Sequence, residues 1–304
     1  MSLERRAPLV RDLRTFFDSR GFLEVETPIA VPSPGLDVHL SAFEIVTPPG
    51  KPARFLSTSP EYQMKRLLAA GHARIYQVTK AFRQDELGER HSSEFSMLEW
   101  YRAPADVDDV MRDTEQLVAR VTKGRVRLEG RSIDTSPPYR RMTVAEAFQA
   151  FAHVAPDDTF AMAAHDEDRF YRLLVDHVEP AIEVLDHALF LTEYPASQAS
   201  LARTKPGDPR VAERFELYVA GVELCNGFGE LTDAREQRAR FLKDQATRRT
   251  RGLPVYPVDE RFLAALKQGI PPCSGNALGV DRLVSLACGT REIARAMAFS
   301  GGEL

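Results

Sequence analysis

The run Arg214-Phe215-Glu216-Leu217-Tyr218-Val219-Ala220-Gly221-Val222-Glu223-Leu224-Cys225-Asn226-Gly227-Phe228-Gly229-Glu230-Leu231 reads as two β-strands folded back on a tight turn. Ala220-Gly221 is a plausible two-residue loop for an antiparallel hairpin, and a register one residue earlier is also open. Either register puts Glu216 and Glu223 on the same face of neighbouring strands. Like charges so placed repel unless a cation bridges them or solvent separates them. Asn226, Phe228 and Glu230 then alternate with the opposite parity to Glu223. A regular strand cannot aim both sets at one ligand; a bulge at Asn226-Gly227 corrects this.

Around this hairpin the chain alternates strands with helices. Glu4 to Arg20 carries an apolar helical face of Leu9, Val10, Leu13, Phe16 and Phe17, and Gly21 stops it. Phe22–Thr27, Phe43–Val46 and Phe55–Thr58 read as strands, followed by a helix over Pro60–Ala70 with proline in its first turn. Arg74–Phe82 and Glu94–Tyr101 are two more strands joined by a charged loop, and Asp106–Thr122 is an amphipathic helix. The segment from about 144 to 184 is helical and acidic and reads as an insertion. Strand character returns at Ala188–Tyr194. Asp233–Arg251 is a charged helix, and Gly279–Cys288 a turn entering the last helix. The strands lack regular βαβ alternation. The expectation is an α+β fold, a mainly antiparallel sheet flanked by helices, in one domain spanning 1–304.

Bulk composition narrows the function classes. Hydrophobic content of 43%, charged content of 28% and a formal net charge of -4 suit a globular protein and give no support for a nucleic-acid surface. No stretch is long and apolar enough to span a membrane, and Met1 to Arg14 is too charged for a signal peptide. Cys225, Cys273 and Cys288 show no CxxC spacing, so they read as buried thiols in a reducing compartment, and the chain as cytoplasmic.

There is no GxxxxGK[ST] loop, no GxGxxG after a strand and no HExxH. A triphosphate would have to be held by planar cationic forks and divalent metal. Arg83, at a strand end, and Arg282, at a helix start, are two such forks. Glu216 and Glu223 are candidates for magnesium shared with phosphates. Glu61, beside Pro60, is an acidic group without an obvious partner, which a ligand ammonium could neutralise.

Taken together, the Pro28 segment, Phe82-Arg83 with His91-Ser92-Ser93-Glu94-Phe95, and Gly279-Val280-Asp281-Arg282 resemble motifs 1, 2 and 3 of class II aminoacyl-tRNA synthetases. Pro60-Glu61, Arg83 with Asp85 two residues on, and Glu223 to Glu230 are most similar to the lysyl branch. The resemblance covers nearly the whole chain and implies adenylate formation with ATP and magnesium on an antiparallel sheet. It also implies a homodimer made by motif 1. It assigns Arg83 to the α-phosphate, Arg282 to the γ-phosphate and Phe95 to the adenine. Gln84, Asp85, Ser92, Glu223, Leu224 and Gly279 would line the nucleotide site, with magnesium on Glu216 and Glu223. Ser59, Pro60, Glu61, Tyr101, Asn226, Glu230 and Ala277 would surround the amino acid.

Two features differ from an ordinary lysyl-tRNA synthetase. The chain enters motif 1 almost directly, leaving no room for an N-terminal anticodon-binding domain, and Ala277 stands where that branch usually has glycine. With Tyr194-Pro195-Ala196-Ser197-Gln198-Ala199-Ser200-Leu201-Ala202, this looks like the stand-alone paralogues that attach (R)-β-lysine to a lysine side chain of elongation factor P. The resemblance then implies (R)-β-lysine or lysine as substrate, elongation factor P as protein partner and no tRNA. Ser92-Ser93 replaces the Asn-Pro usual in the branch, and Ser92 can still donate a hydrogen bond. The rivals are a truncated synthetase using tRNA or a small acceptor, and an inactive binding paralogue.

Overall fold

Eight strands cross the molecule in one sheet: β1 (Leu23–Glu24), β2 (Arg74–Phe82), β3 (Glu94–Arg102), β4 (Arg140–Thr143), β5 (Leu189–Thr192), β6 (Arg214–Val219), β7 (Val222–Gly229) and β8 (Ser274–Gly279). Their order across the sheet is β1-β2-β3-β8-β7-β6-β5-β4. The central pairs are antiparallel, as the sequence predicts, and only the two edge pairs, β1–β2 and β4–β5, run parallel. The computed structural model describes residues 3–299. The remaining residues of the expected 1–304 domain, two at the start and five at the end, lie outside the described residues.

Period-two alternation divides the sheet into two faces with different duties. Tyr76, Leu98, Trp100, Phe215, Leu217 and Leu278 point to one side and are buried in the main core. Three helices cover that side: α1 (Leu3–Asp18), α2 (Val107–Thr122) and α3 (Val280–Ala287). Asp106 caps α2 by accepting from the Asp109 amide, with Asp109 returning the bond to the cap amide, so the helix starts where the sequence places it. Asn276 on β8 donates to the Thr114 hydroxyl of α2 at 2.8 Å, fixing sheet to helix. Leu13, Phe16 and Phe17 of α1 are buried in this core. These residues of the α1 stripe face inward onto the chain's own sheet, with Leu9 and Val10 partly buried beside them.

The opposite face stays largely polar at its centre and is walled rather than covered. Short helices and two π-helical turns between 144 and 183 bury Phe148, Phe170, Leu174, Val178 and Ile182 against Leu189, Leu191 and Tyr218. The other wall is built by Glu61–Ala69, by α4 (Ala234–Thr250) and by Glu260–Gln268, with Tyr62 stacked on Phe262 at 4.7 Å. Among the described residues, no helix is long and apolar enough to cross a membrane.

Candidate active site

Strand register alone decides which residues meet on the open face. Gln77, Glu99, Ala277, Asn226, Glu216 and Leu191 form one row across six strands. The next row holds Tyr101, Gly275, Phe228 and Arg214. The hairpin closes at Ala220-Gly221, both at positive φ, as a two-residue turn requires. Its bulge is not at Asn226-Gly227. Leu217 faces Cys225 while Tyr218 faces Glu223, so Leu224 is the extra residue. The correction has the expected effect two residues earlier: Glu223 joins Asn226 and Phe228 on the open face.

At one end of this face the carboxylates gather. Glu61 is not without a partner, as the sequence suggested. Lys65, one helical turn on, lies 2.5 Å from the Glu61 carboxylate and 2.5 Å from that of Glu230. Glu99 accepts from the Tyr101 hydroxyl at 2.5 Å and from Ser59 at 2.8 Å, and the Ser59 oxygen in turn accepts from the Glu61 amide. Two carboxylates thus hold one ammonium, and a third, Glu99, lies close by on its own hydroxyl partners. Burial pulls Lys65 toward neutrality, but Glu230 and Glu61 outweigh it and hold the ammonium charged, above its ordinary value. Burial, with Glu61 nearby, pushes Glu99 up to about 7. Burial also raises Glu230 well above the usual carboxylate range, Glu61 adding to it against Lys65. The cluster is short of positive charge.

The strand beneath it consists of small residues for a steric reason. A Cβ on Gly275 would come within 2.3 Å of the Tyr101 ring and 2.8 Å of the Glu230 carboxylate. A cavity of about 430 Å³ opens over this region, lined by Ser59, Glu61, Asn226, Phe228 and Ala277. Tyr101 and Glu230 are 3% and 1% exposed and do not line it; they stand behind its wall, where Glu230 holds Lys65. Pro60 is buried as the cap residue of the Glu61–Ala69 helix, aiming Glu61 rather than facing the cavity.

A second cavity of about 130 Å³ adjoins the first, sharing Arg83, Met97, Asn226 and Ala277 with it. Its lining includes Ser92, Phe95, Glu223, Leu224, Gly279 and Arg282. The Arg83 guanidinium sits 5.1 Å from the centre of the Phe95 ring and pairs with Glu86 at 3.1 Å. Gln84 and Asp85 are exposed and do not line this cavity. The chain turns outward after Phe82, the Gln84 amide bonding the Ser41 carbonyl, and Glu86 is the acidic residue brought to Arg83. Arg282 donates to the Glu223 carbonyl at 2.9 Å and lies 2.7 Å from the His91 ring nitrogen. A guanidinium can only donate, so the His91 nitrogen facing it accepts, and burial and the neighbouring Arg282 lower the His91 pKa.

Glu216 and Glu223 do share a face, but each has its own cation. Arg214 lies 2.5 Å from Glu216, and Arg282 3.6 Å from Glu223. These arginines supply part of the neutralisation for which the sequence reading invoked a metal. The hydroxyls of Tyr194 and Tyr218 fill one Glu216 oxygen, and Arg214 occupies one lone pair of the other, leaving a single lone pair for a metal. Glu223 lines the cavity, and burial together with Glu216 pushes its carboxyl up to about 7, the signature of a group that gains from a nearby cation. Glu216 is 6% exposed and lines neither cavity, so of the two carboxylates only Glu223 is presented to a cation in the smaller cavity. Among the described residues, no group of three or more His, Cys, Asp or Glu side chains could hold a metal unaided.

Lys65 and Glu99 were missed from the sequence. Both carried a signal: Lys65 is four residues after Glu61, and Glu99 shares strand parity with Phe95 and Tyr101.

Comparison with known proteins gives the family. The family model of class II tRNA synthetases (D, K and N) matches residues 1–302. Similar relatives include the elongation factor P–(R)-β-lysine ligase of Proteus mirabilis, 44% identical over 98% of this chain and 94% of its own length. The ligases of that name from Klebsiella pneumoniae and Avibacterium paragallinarum are each 42% identical, again over 98% of this chain, and over 94% and 95% of their own lengths. With motif residues converging on one sheet face and a family match running almost end to end, the chain belongs to the class II tRNA synthetases of the D, K and N group.

Proposed function

We propose that the protein activates (R)-β-lysine, or lysine, with ATP and transfers it to a lysine side chain of elongation factor P in the cytoplasm. The observation that carries this reading is the carboxylate surplus around Lys65, set on the same sheet face as an arginine-lined cavity. Glu61, Glu99 and Glu230 outnumber the one buried ammonium by two. A substrate with two amino groups can set one ammonium against Glu61, the one of the three carboxylates that lines the cavity, with Glu99 and Glu230 behind its wall, and its carboxylate is left facing Arg83, which lines both cavities.

In the first step the substrate carboxylate attacks the α-phosphorus of ATP, forming the mixed anhydride as pyrophosphate leaves. Arg83 and Arg282 hold the phosphates and stabilise the charge that builds on the phosphorus centre. Phe95 gives the adenine an apolar face. Glu223, with Glu216 beside it, would hold magnesium, which would offset the negative charge of the phosphates and of the departing pyrophosphate. In the second step the acceptor amine attacks the anhydride carbonyl, loses a proton and releases AMP. Positioning on a rigid sheet does most of the work, and no covalent enzyme intermediate is required.

The reading includes a homodimer and excludes tRNA as acceptor. With the α1 stripe facing inward, exposed Leu23 and Ile29 beside the open sheet edge are the apolar groups offered to a second copy. The net charge of -4 disfavours a ligand bound chiefly through phosphates. The test is intact-mass analysis of elongation factor P incubated with the protein, ATP, magnesium and (R)-β-lysine, beside a parallel incubation with lysine tRNA. A β-lysyl mass increment on the factor is expected. No increment, or charging of the tRNA alone, overturns the reading.

A further inference from the structure

Helix α4 has two faces, and the substrate cavity uses one of them. Gln237, Phe241, Asp244 and Thr247 recur at helical spacing and line the cavity wall. Exposure along that stripe increases from Gln237 and Phe241, both fully buried, to half-buried Asp244 and Thr247 and exposed Arg251 just past the helix. The helix therefore runs from the interior of the cavity to its mouth.

The other face is mostly cationic, with Glu236 as its one exposed acidic side chain. The helix holds six cationic residues against Glu236 and Asp244. Glu236 is used by Arg240, while Arg238 is paired with Glu260 and Arg248 is buried on the carbonyls of Asp37, Leu40 and Pro254. What remains outside is Arg235, Lys243 and Arg249. All three are exposed, and none makes an ion pair or a side-chain hydrogen bond among the described residues. Between them lies Leu242, 52% exposed, flanked by exposed Ala239 and Ala246. Lys243 also reaches the cavity lining, so this cationic surface is continuous with the mouth.

We propose that the outer face of α4 is the docking surface for the acceptor protein, which it takes through an acidic surface flanking the acceptor lysine. This rests on the function proposed above. An acceptor lysine must enter the cavity while its own protein stays outside, so that protein must rest on the rim. A helix is only about 10–12 Å across with its side chains, so a partner seated on the outer face of α4 lies next to the opening. The unpaired guanidinium and ammonium groups give an acidic partner charge complementarity, which raises the encounter rate and fixes orientation. Leu242 gives it an apolar centre inside a cationic rim. RNA fits less well. Three phosphate contacts are fewer than the roughly 6–10 that strong phosphate-driven binding uses, and a central leucine offers a phosphate backbone nothing.

The test is the double variant Arg235→Glu/Arg249→Glu, which leaves the cavity lining untouched, beside Arg235→Lys/Arg249→Lys. Transfer of β-lysine to elongation factor P is followed by intact mass at several factor concentrations. Pyrophosphate exchange with β-lysine and the melting temperature are measured on the same samples. The charge-reversed variant is expected to raise KM for the factor about tenfold or more, with kcat, exchange and melting temperature unchanged. The lysine variant should restore most of the loss, and added salt should shrink the gap between wild type and reversed variant. An unmoved KM in an otherwise active enzyme overturns the docking surface and leaves the function standing. Loss of lysine-tRNA binding with transfer to the factor intact assigns the face to RNA and overturns it too. A wild-type enzyme that does not modify the factor at all removes the function and the surface together.

Discussion

Replacing Lys65 with methionine isolates the charge arithmetic on which the amino-acid site depends. The side chain is 1% exposed and holds Glu61 and Glu230 at 2.5 Å each, so the change removes the one cation among three carboxylates and leaves the volume nearly filled. Breaking a buried ion pair from one side costs about 3–5 kcal/mol, a large part of a typical stability of roughly 5–15 kcal/mol. The structure also sets the pH dependence. Burial already raises Glu230 far above an unfolded carboxyl, and loss of Lys65 raises it further. Between the unfolded and folded pKa values the folded variant holds a proton that the unfolded chain lacks, so its stability falls as pH rises and is lost through the folded pKa. The penalty relative to wild type should therefore be greatest above about pH 8. Toward acid it should shrink by up to about 1.4 kcal/mol per pH unit for each extra proton held. Urea denaturation of both proteins at acid and alkaline pH measures this. A penalty under about 1 kcal/mol throughout, or one that does not change with pH, refutes the reasoning, because the carboxylates would then have been neutral or solvated already.

Three further changes probe other parts of the site. Glu223→Gln removes the carboxylate that lines the phosphate cavity and also its repulsion with Glu216, so pyrophosphate exchange should vanish while the urea midpoint holds or rises; a strongly destabilised or active variant contradicts the role. Ala277→Gly deletes a methyl from the floor shared by both cavities, and should favour α-lysine over (R)-β-lysine by ~1–3 kcal/mol in kcat/KM from pyrophosphate exchange with each isomer, with KM for ATP unchanged; an unaltered ratio means Ala277 does not set the preference. Gly275→Ala forces a methyl into the Tyr101 ring at 2.3 Å and should cost about 1–3 kcal/mol in thermal or urea unfolding, together with amino-acid activation; a neutral result would show that Tyr101 can swing away freely.

Much of the architecture could be read from periodicity, because long strands and amphipathic helices carry their own signal. The strand Arg74–Phe82 agrees at both ends, and the amphipathic pattern from Asp106 to Thr122 matches α2 with Asp106 as its cap. The central strand Ser274–Gly279 was invisible, since Ser-Gly-Asn-Ala-Leu-Gly has none of the β-branched or aromatic residues by which strands are recognised. It is made small by what lies over it, the Tyr101 ring above Gly275, and that is a tertiary fact. The helix Glu260–Gln268 was missed as well, although its apolar residues Phe262, Leu263 and Leu266 are helically spaced and buried. In the site, the arginines and glutamates were identifiable as types. What sequence could not give was the partner of each: Lys65 for Glu61, Arg214 for Glu216, and Glu86 in place of Asp85 beside Arg83. Partners across the sheet follow from register, and the register turned on one bulge at Leu224.

That single extra residue also divides the hairpin into two modules. Glu223 lies before it and lines only the smaller cavity, while Phe228 lies after it and lines only the larger one, with Asn226 between them on both. A protein engineer seeking new amino-acid specificity can vary Phe228, which lies clear of the smaller cavity, whereas a change at Asn226 touches both. Shortening the hairpin by the extra residue, Leu224, would go further. It would rotate one half of the inventory into the hydrophobic interior and disable both halves at once.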